Sequence, residues 1–267
     1  MSDGTPATAA DRWAALRSAT SARIGLGRRG DAMPLEAVLD FQLAHARARD
    51  AVHAALDVAA LEDALRPHPV VRVRSAAPDR ATYLRRPDLG RTLDPDSTLH
   101  GAADGVDLVF VVADGLSAMA VQSQAAPLIH ACLARLDGLS VGPVVVASQA
   151  RVAIGDPIGE MLGARLCAVL IGERPGLSVA DSLGIYVTYG PRPGRRDSER
   201  NCISNIHDRG GLSIDRAADT LVRLAREALQ RGVTGVALKT SLGVEPDASG
   251  LPPATAGRSR NAEPPSG

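Results

Sequence analysis

Aromatic side chains are scarce in this chain: two Phe, three Tyr and one Trp in 267 residues. A core must therefore be built from the aliphatic residues that supply most of the 45% hydrophobic content. The same scarcity removes the stacking platform of a single-strand nucleic-acid binder. Net charge is also missing, with 30 Lys+Arg against 30 Asp+Glu, so no broad basic face for nucleic acid is evident. Lysine is nearly absent: Lys239 is the only one, and arginine fills every other such position. That bias fits a GC-rich genome better than an arginine-specific function. Cysteine occurs at 132, 167 and 202 only. The odd number and the lack of a C-x-x-C pair argue against a disulfide framework and a structural zinc site. No early segment has the basic-then-apolar pattern of a signal peptide, and no run approaches the roughly 20 apolar residues of a membrane span. The expectation is a soluble, cytoplasmic protein with no membrane and no nucleic-acid partner.

What is present is an alternation of apolar runs and helical patterns. Asp11 is placed to cap a helix from Arg12 to about Ala22, and Pro34 suits the first turn of a longer one, roughly Leu35 to Leu56. On the latter, Leu35, Val38, Leu39, Leu43 and Val52 form a partly apolar stripe. Between the two, Gly25 to Gly30 matches G-x-G-x-x-G letter for letter. The dinucleotide reading is rejected, because that fingerprint needs a strand before it and a helix opening within it. A basic glycine turn that docks on another surface fits better. Further on come a short helix at 61–65, a short edge strand at 70–73, and a basic loop or single helical turn from Tyr83 to Arg91. Buried strands are expected at 107–113, 144–147, 166–171, 185–189 and 233–238, with helices at about 117–136, 156–162 and 213–231. This order implies an α/β fold: a Rossmann-like, mostly parallel sheet with helices on both faces, plus a helical N-terminal part. The expected organisation is a disordered 1–10, a mainly helical 11–100, a Rossmann-like domain over 101–240, and a disordered tail over 241–267, rich in Pro, Gly, Ser and Ala.

The candidate chemistry gathers in Arg165 to His207. Two apolar runs end there in Gly172-Glu173-Arg174-Pro175-Gly176 and in a basic loop leading to Asn201-Cys202-Ile203-Ser204-Asn205-Ile206-His207. In an open α/β sheet, groups just past strand ends line the ligand crevice. Glu173 reads either as a solvated ion pair or as a carboxylate accepting from a ligand's amides or hydroxyls. Asp114 and Ser117 either cap a helix or offer its N-terminus to a polar ligand group. Cys202 and His207 would make a nucleophile pair only with a third, orienting group, and none is evident. The run Asn205 to Gly210 is one residue from D-x-H-x-x-G, the pattern that places a histidine on cobalamin's cobalt, but Asn stands where the orienting Asp is needed. Asp156 and Glu160, at i,i+4, could cap or coordinate, without the dense cluster a metal site requires.

Seven runs together resemble one family: Arg23 to Arg28, Arg49 to Val52, YLRRPDLGR from Tyr83, Asp114 to Ser117, RVAIGDPIGE from Arg151, GERPGL from Gly172 and NCISNIH from Asn201. In order and content they are similar to the small (light) subunit of ethanolamine ammonia-lyase, the EutC family, over about residues 11–240. The resemblance implies a two-subunit lyase that converts ethanolamine to acetaldehyde and ammonia by adenosylcobalamin radical chemistry. A TIM-barrel large subunit would hold the substrate and the catalytic groups, with the corrinoid (coenzyme B12) sandwiched between the chains. It further implies cofactor contacts at Val152, Glu173 and Cys202, no catalytic residue on this chain, and no cobalt ligation by His207, since family members keep the cofactor's own dimethylbenzimidazole on the metal. Two readings stand beside this one: a self-sufficient Rossmann-like enzyme using a nucleotide cofactor, and a purely structural stabiliser of the large subunit. Some relatives carry a long N-terminal extension linked with packaging into a bacterial microcompartment; here ten residues precede Asp11, which leaves that destination open beside the cytoplasmic one. The tail after Ser241 runs beyond the usual family end.

Overall fold

A computed structural model describes residue 11 and residues 13–20, 22–99 and 105–239. The readings of 1–10 and 241–267 as disordered lie outside these residues. The chain divides into two units, one holding the described residues up to Gly25, the other running onward from Leu26. In the first unit, helix α1 (Ala14–Ala19) is shorter than the pattern suggested. Asp11 accepts from the Trp13 amide at 3.0 Å and pairs with Arg17.

The second unit carries α2 (Leu35–His53), α3 (Val58–Leu65), β1 (Val70–Arg74), α4 (Arg80–Arg85), β2 (Val106–Ala113), α5 (Ala118–Leu133), β3 (Val144–Ser148), α6 (Gly155–Met161), β4 (Ala164–Gly172), β5 (Leu183–Tyr189), β6 (Arg200–Ile206), α7 (Ile214–Arg231) and α8 (Val236–Lys239). Among the described residues the strands form one sheet in the order β1-β3-β2-β4-β5-β6. The first four run parallel; β5 is antiparallel to both its neighbours. The mostly parallel α/β sheet expected from the sequence is present.

The central strands are apolar on both faces because both faces are covered. On one face Leu108, Phe110, Val112, Leu166 and Leu170 pack with α3, α5 and α7. On the other, Val109, Val111, Val145, Val169 and Ile171 pack with α6 and the single turn Val152–Ile154. No helix among the described residues is long and apolar enough to cross a membrane.

Two expectations are corrected. The segment from Asn201, read as a loop, is strand β6: Ile203 and Ile206 are buried on one side while Cys202 and Ser204 are exposed on the other. Its pairing with β5 carries an irregularity, 183 opposite 206 but 185 opposite 203, and Asn205 adopts a positive φ of 62°. The segment 233–238, read as a strand, enters no ladder. Thr234 accepts from the Tyr189 amide at 2.9 Å and donates to the Glu199 carbonyl at 2.6 Å, and the Asn201 side chain clasps the Gly235 backbone at 2.7 and 3.1 Å. With its backbone tied to the ends of β5 and β6 by side chains, the chain turns into α8.

Candidate functional site

The carboxyl ends of β2, β3 and β4 meet at one edge of the sheet, where two glycines permit a close crossing of loops. A Cβ on Gly172 would lie 2.0 Å from the Ser117 carbonyl oxygen, and one on Gly115 (φ +58°) 2.4 Å from that of Gly172. The crossing is closed by the Leu116 amide donating to the Gly172 carbonyl at 2.9 Å. Ser117 caps α5 by accepting from Ala120, and donates to the Ala180 carbonyl at 2.8 Å. Asp114 does not cap: its two oxygens accept from the amides of Gln149 and Ala150 at 2.9 and 3.0 Å, tying the end of β2 to the turn after β3. Burial pushes its carboxyl above the ordinary range, against the pull of those amides and of Arg80.

Outside this crossing lies a cleft of about 450 Å³ whose walls include Tyr83, Arg151, Val152, Glu173 and Tyr186. Val152 enters on the turn after β3, and Glu173 is the first residue past β4. The Glu173 Oε2 accepts from the Ser182 hydroxyl at 2.5 Å and the Asn205 amide at 3.3 Å. Its Oε1 sits over Gly184, 2.9 Å from where a Cβ would be, and has no hydrogen bond among the described residues. One carboxylate oxygen is thus fixed and the other remains free to accept. Cys202 does not line the cleft. It is exposed on β6, directly opposite Tyr186 across the strand pair. Burial, then Cys202, then the charges of Glu173 and Asp197 push the Tyr186 hydroxyl up to about 12, so it stays protonated and neutral.

Tyr83 and Arg151 entered the sequence reading only as the first residues of family-like runs, without a role in the site, and Arg80 did not enter it. Two guanidiniums stack on the fully buried Tyr83 ring, Arg80 at 4.7 Å and Arg151 at 4.5 Å from its centroid, and its hydroxyl donates to the Ala150 carbonyl at 3.2 Å. In a chain with three tyrosines, two line this one cleft.

Other candidates fall away. His207 accepts at Nδ1 from the Arg209 amide at 3.1 Å and, with Nε2 carrying the proton, donates to Asn205 Oδ1 at 2.8 Å. Both nitrogens staple the turn after β6, leaving none to activate the Cys202 thiol. Asp156 neither caps nor coordinates but forms a buried bidentate pair with Arg200 at 2.7 and 2.7 Å, while Glu160 is exposed. No His/Cys/Asp/Glu cluster among the described residues could hold a metal. Among the described residues no strand leads into Gly25-to-Gly30, and a bridge between Arg29 and Ala32 closes a turn at its end before α2.

These features define an open α/β protein with its crevice at the carboxyl edge of the parallel strands. A family model described as "Ethanolamine ammonia-lyase light chain (EutC)" matches residues 10–239. A protein of Rhodopseudomonas palustris named ethanolamine ammonia-lyase small subunit is 55% identical over 254 residues, covering 92% of this chain and 94% of its own. One of the same name from Azotobacter vinelandii is 52% identical over 251 residues, covering 90% and 92%. The chain belongs to the ethanolamine ammonia-lyase light chain family. The runs YLRRPDLGR, RVAIGDPIGE and GERPGL each place residues on the cleft wall.

Proposed function

We propose that this chain is the small subunit of an adenosylcobalamin-dependent ethanolamine ammonia-lyase and that its cleft holds part of the corrinoid against a catalytic large subunit. One observation carries the reading: Val152 and Glu173, which follow two different strands, line the same cleft, and Cys202 stands directly opposite Tyr186 of its wall. The donor set fits. A corrin bears peripheral carboxamides, and the free Glu173 Oε1 can accept from an amide NH₂. Val152 offers apolar packing to the macrocycle, and the neutral Tyr186 gives a wall that adds no charge. The cleft is too small to enclose a corrinoid, which agrees with one side being covered by a partner. When bound, adenosylcobalamin supplies the radical chemistry. The residues of this chain bind, orient and exclude water, and no acid, base or nucleophile of the reaction is assigned to them.

The partner surface on this reading includes α2. Leu35, Leu39 and Leu43, at i, i+4 and i+8, are 72, 54 and 50% exposed, and Phe41 and Met33 add to the apolar surface. A helix this apolar on an uncovered side marks a docking face.

Substituting Glu173→Ala in the assembled complex is expected to weaken corrinoid binding about tenfold or more, the worth of a hydrogen bond to a charged group. Assembly should stay intact. Equilibrium dialysis and size-exclusion chromatography separate this from the stabiliser reading, which predicts lost assembly. Unchanged affinity would remove Glu173 from the site.

A further inference from the structure

Six arginines are buried or half-buried among the described residues, and five of them face a carboxylate. Arg17 pairs with Asp11, Arg80 with Asp114, Arg135 with Asp215 and Asp219, Arg195 with Glu199, and Arg200 with Asp156. Arg151 is the exception. Its Nε is buried and makes no hydrogen bond. Its backbone amide donates to the Gly90 carbonyl at 2.7 Å, and its stem lies so close to Gly90 that a Cβ there would be 2.8 Å from Arg151 Cγ. Its guanidinium rests on the Tyr83 ring, which Arg80 holds from elsewhere on the ring. The cation is thus fixed in place, partly desolvated, and unmatched. Two more guanidiniums on the cleft wall, Arg91 and Arg174, also form no ion pair among the described residues. The acids on that wall are Glu173, whose Oε2 accepts from Ser182 and which forms no ion pair with these arginines, and Asp197, 3.6 Å from Arg200.

A guanidinium taken from water without a partner is costly, and its planar fork matches a phosphate oxygen pair better than any neutral acceptor. We infer that this end of the cleft is an anion subsite in which Arg151, assisted by Arg91 and Arg174, binds the phosphodiester of the corrinoid's nucleotide loop. The inference rests on the corrinoid reading above and adds to it the part of the ligand that this wall recognises.

The test compares two ligands on one protein. Adenosylcobalamin carries the phosphodiester; adenosylcobinamide lacks the nucleotide loop and its phosphate. Binding of each to the assembled two-subunit complex is measured by equilibrium dialysis, for the unsubstituted chain and for Arg151→Gln. The expected result is a loss of about tenfold to a hundredfold for adenosylcobalamin and no change for adenosylcobinamide. Arg151→Lys, which keeps charge but loses the fork, should fall between. Because both ligands are read on the same preparation, a general loss of fold weakens both. An equal penalty for both corrinoids, or none for either, overturns the inference while leaving the corrinoid reading standing. So does unchanged adenosylcobalamin affinity accompanied by Arg151-dependent binding of inorganic phosphate, which would mark a free-anion site. Failure of the unsubstituted complex to bind adenosylcobalamin would remove the parent reading itself and this inference with it.

Discussion

Replacing Asp156 by alanine is expected to destabilise the fold by about 3–5 kcal/mol, the usual cost of stripping one partner from a buried ion pair. Asp156 is 2% exposed and Arg200 7%, so the guanidinium would be left with no close carboxylate, its remaining acid Asp197 being 3.6 Å away. Arg200 would keep Thr188 Oγ1 at 2.8 Å and the Arg195 carbonyl at 3.1 Å, both neutral acceptors. The loss would spread toward the cleft, because Arg200 opens β6, the strand that carries Cys202, and reaches Asp197 on the cleft wall. Denaturant unfolding of the purified chain measures it, and a melting temperature roughly 10 °C lower is the thermal counterpart for a chain of this size. Removing both charges, as in Asp156→Ala with Arg200→Leu, should recover part of the stability, since two apolar side chains leave no unpaired charge behind. A change below about 1 kcal/mol in the single variant would mean that the pair behaves as a surface one.

Leu39→Glu combined with Leu43→Glu is expected to leave the isolated chain folded and to weaken its association with the large subunit by about a hundredfold or more. Both leucines are half exposed here, so the substitution removes little packing within the chain. Within an apolar interface each would bury a carboxylate without a partner, a cost comparable to losing a binding hot spot. Analytical ultracentrifugation of the mixed subunits reads the affinity, and circular dichroism of the single chain checks the fold. Association unchanged from that of the original pair would place the docking face elsewhere.

Legibility from the sequence followed burial. Strands β2, β3 and β4 were evident because both faces are covered, so residues such as Leu108 to Ala113 form an unbroken apolar run. Strand β6 was hidden because only one of its faces is buried and the bulge at its end upsets strict alternation, which made Asn201 to Ile206 look like a polar loop. Segment 233–238 misled in the opposite sense. Its apolar letters suggested a strand, but Val236 is 67% exposed and Gly235 has φ +81°, where a Cβ would strike the Ser198 carbonyl oxygen at 2.1 Å. Val152 came only from a family-like run, whereas the place of Glu173 on the cleft wall was reachable through the rule that crevices form past strand ends. The Tyr83–Arg151 stack was not, since it joins segments distant in the chain and no local pattern encodes a contact between them. His207 shows the converse: its spacing from Cys202 suggested chemistry, whereas its hydrogen bonds serve only the turn it sits in.

The measurement that bears most directly on the account is ethanolamine turnover with adenosylcobalamin, comparing this chain alone, the large subunit alone, and the two mixed. The account predicts acetaldehyde and ammonia from the mixture only, because on the proposed reading this chain holds part of the cofactor and the partner holds the substrate. Turnover by this chain alone would contradict it outright. An inactive mixture whose subunits are folded and associated would contradict it as well, and would put the structural stabiliser in its place.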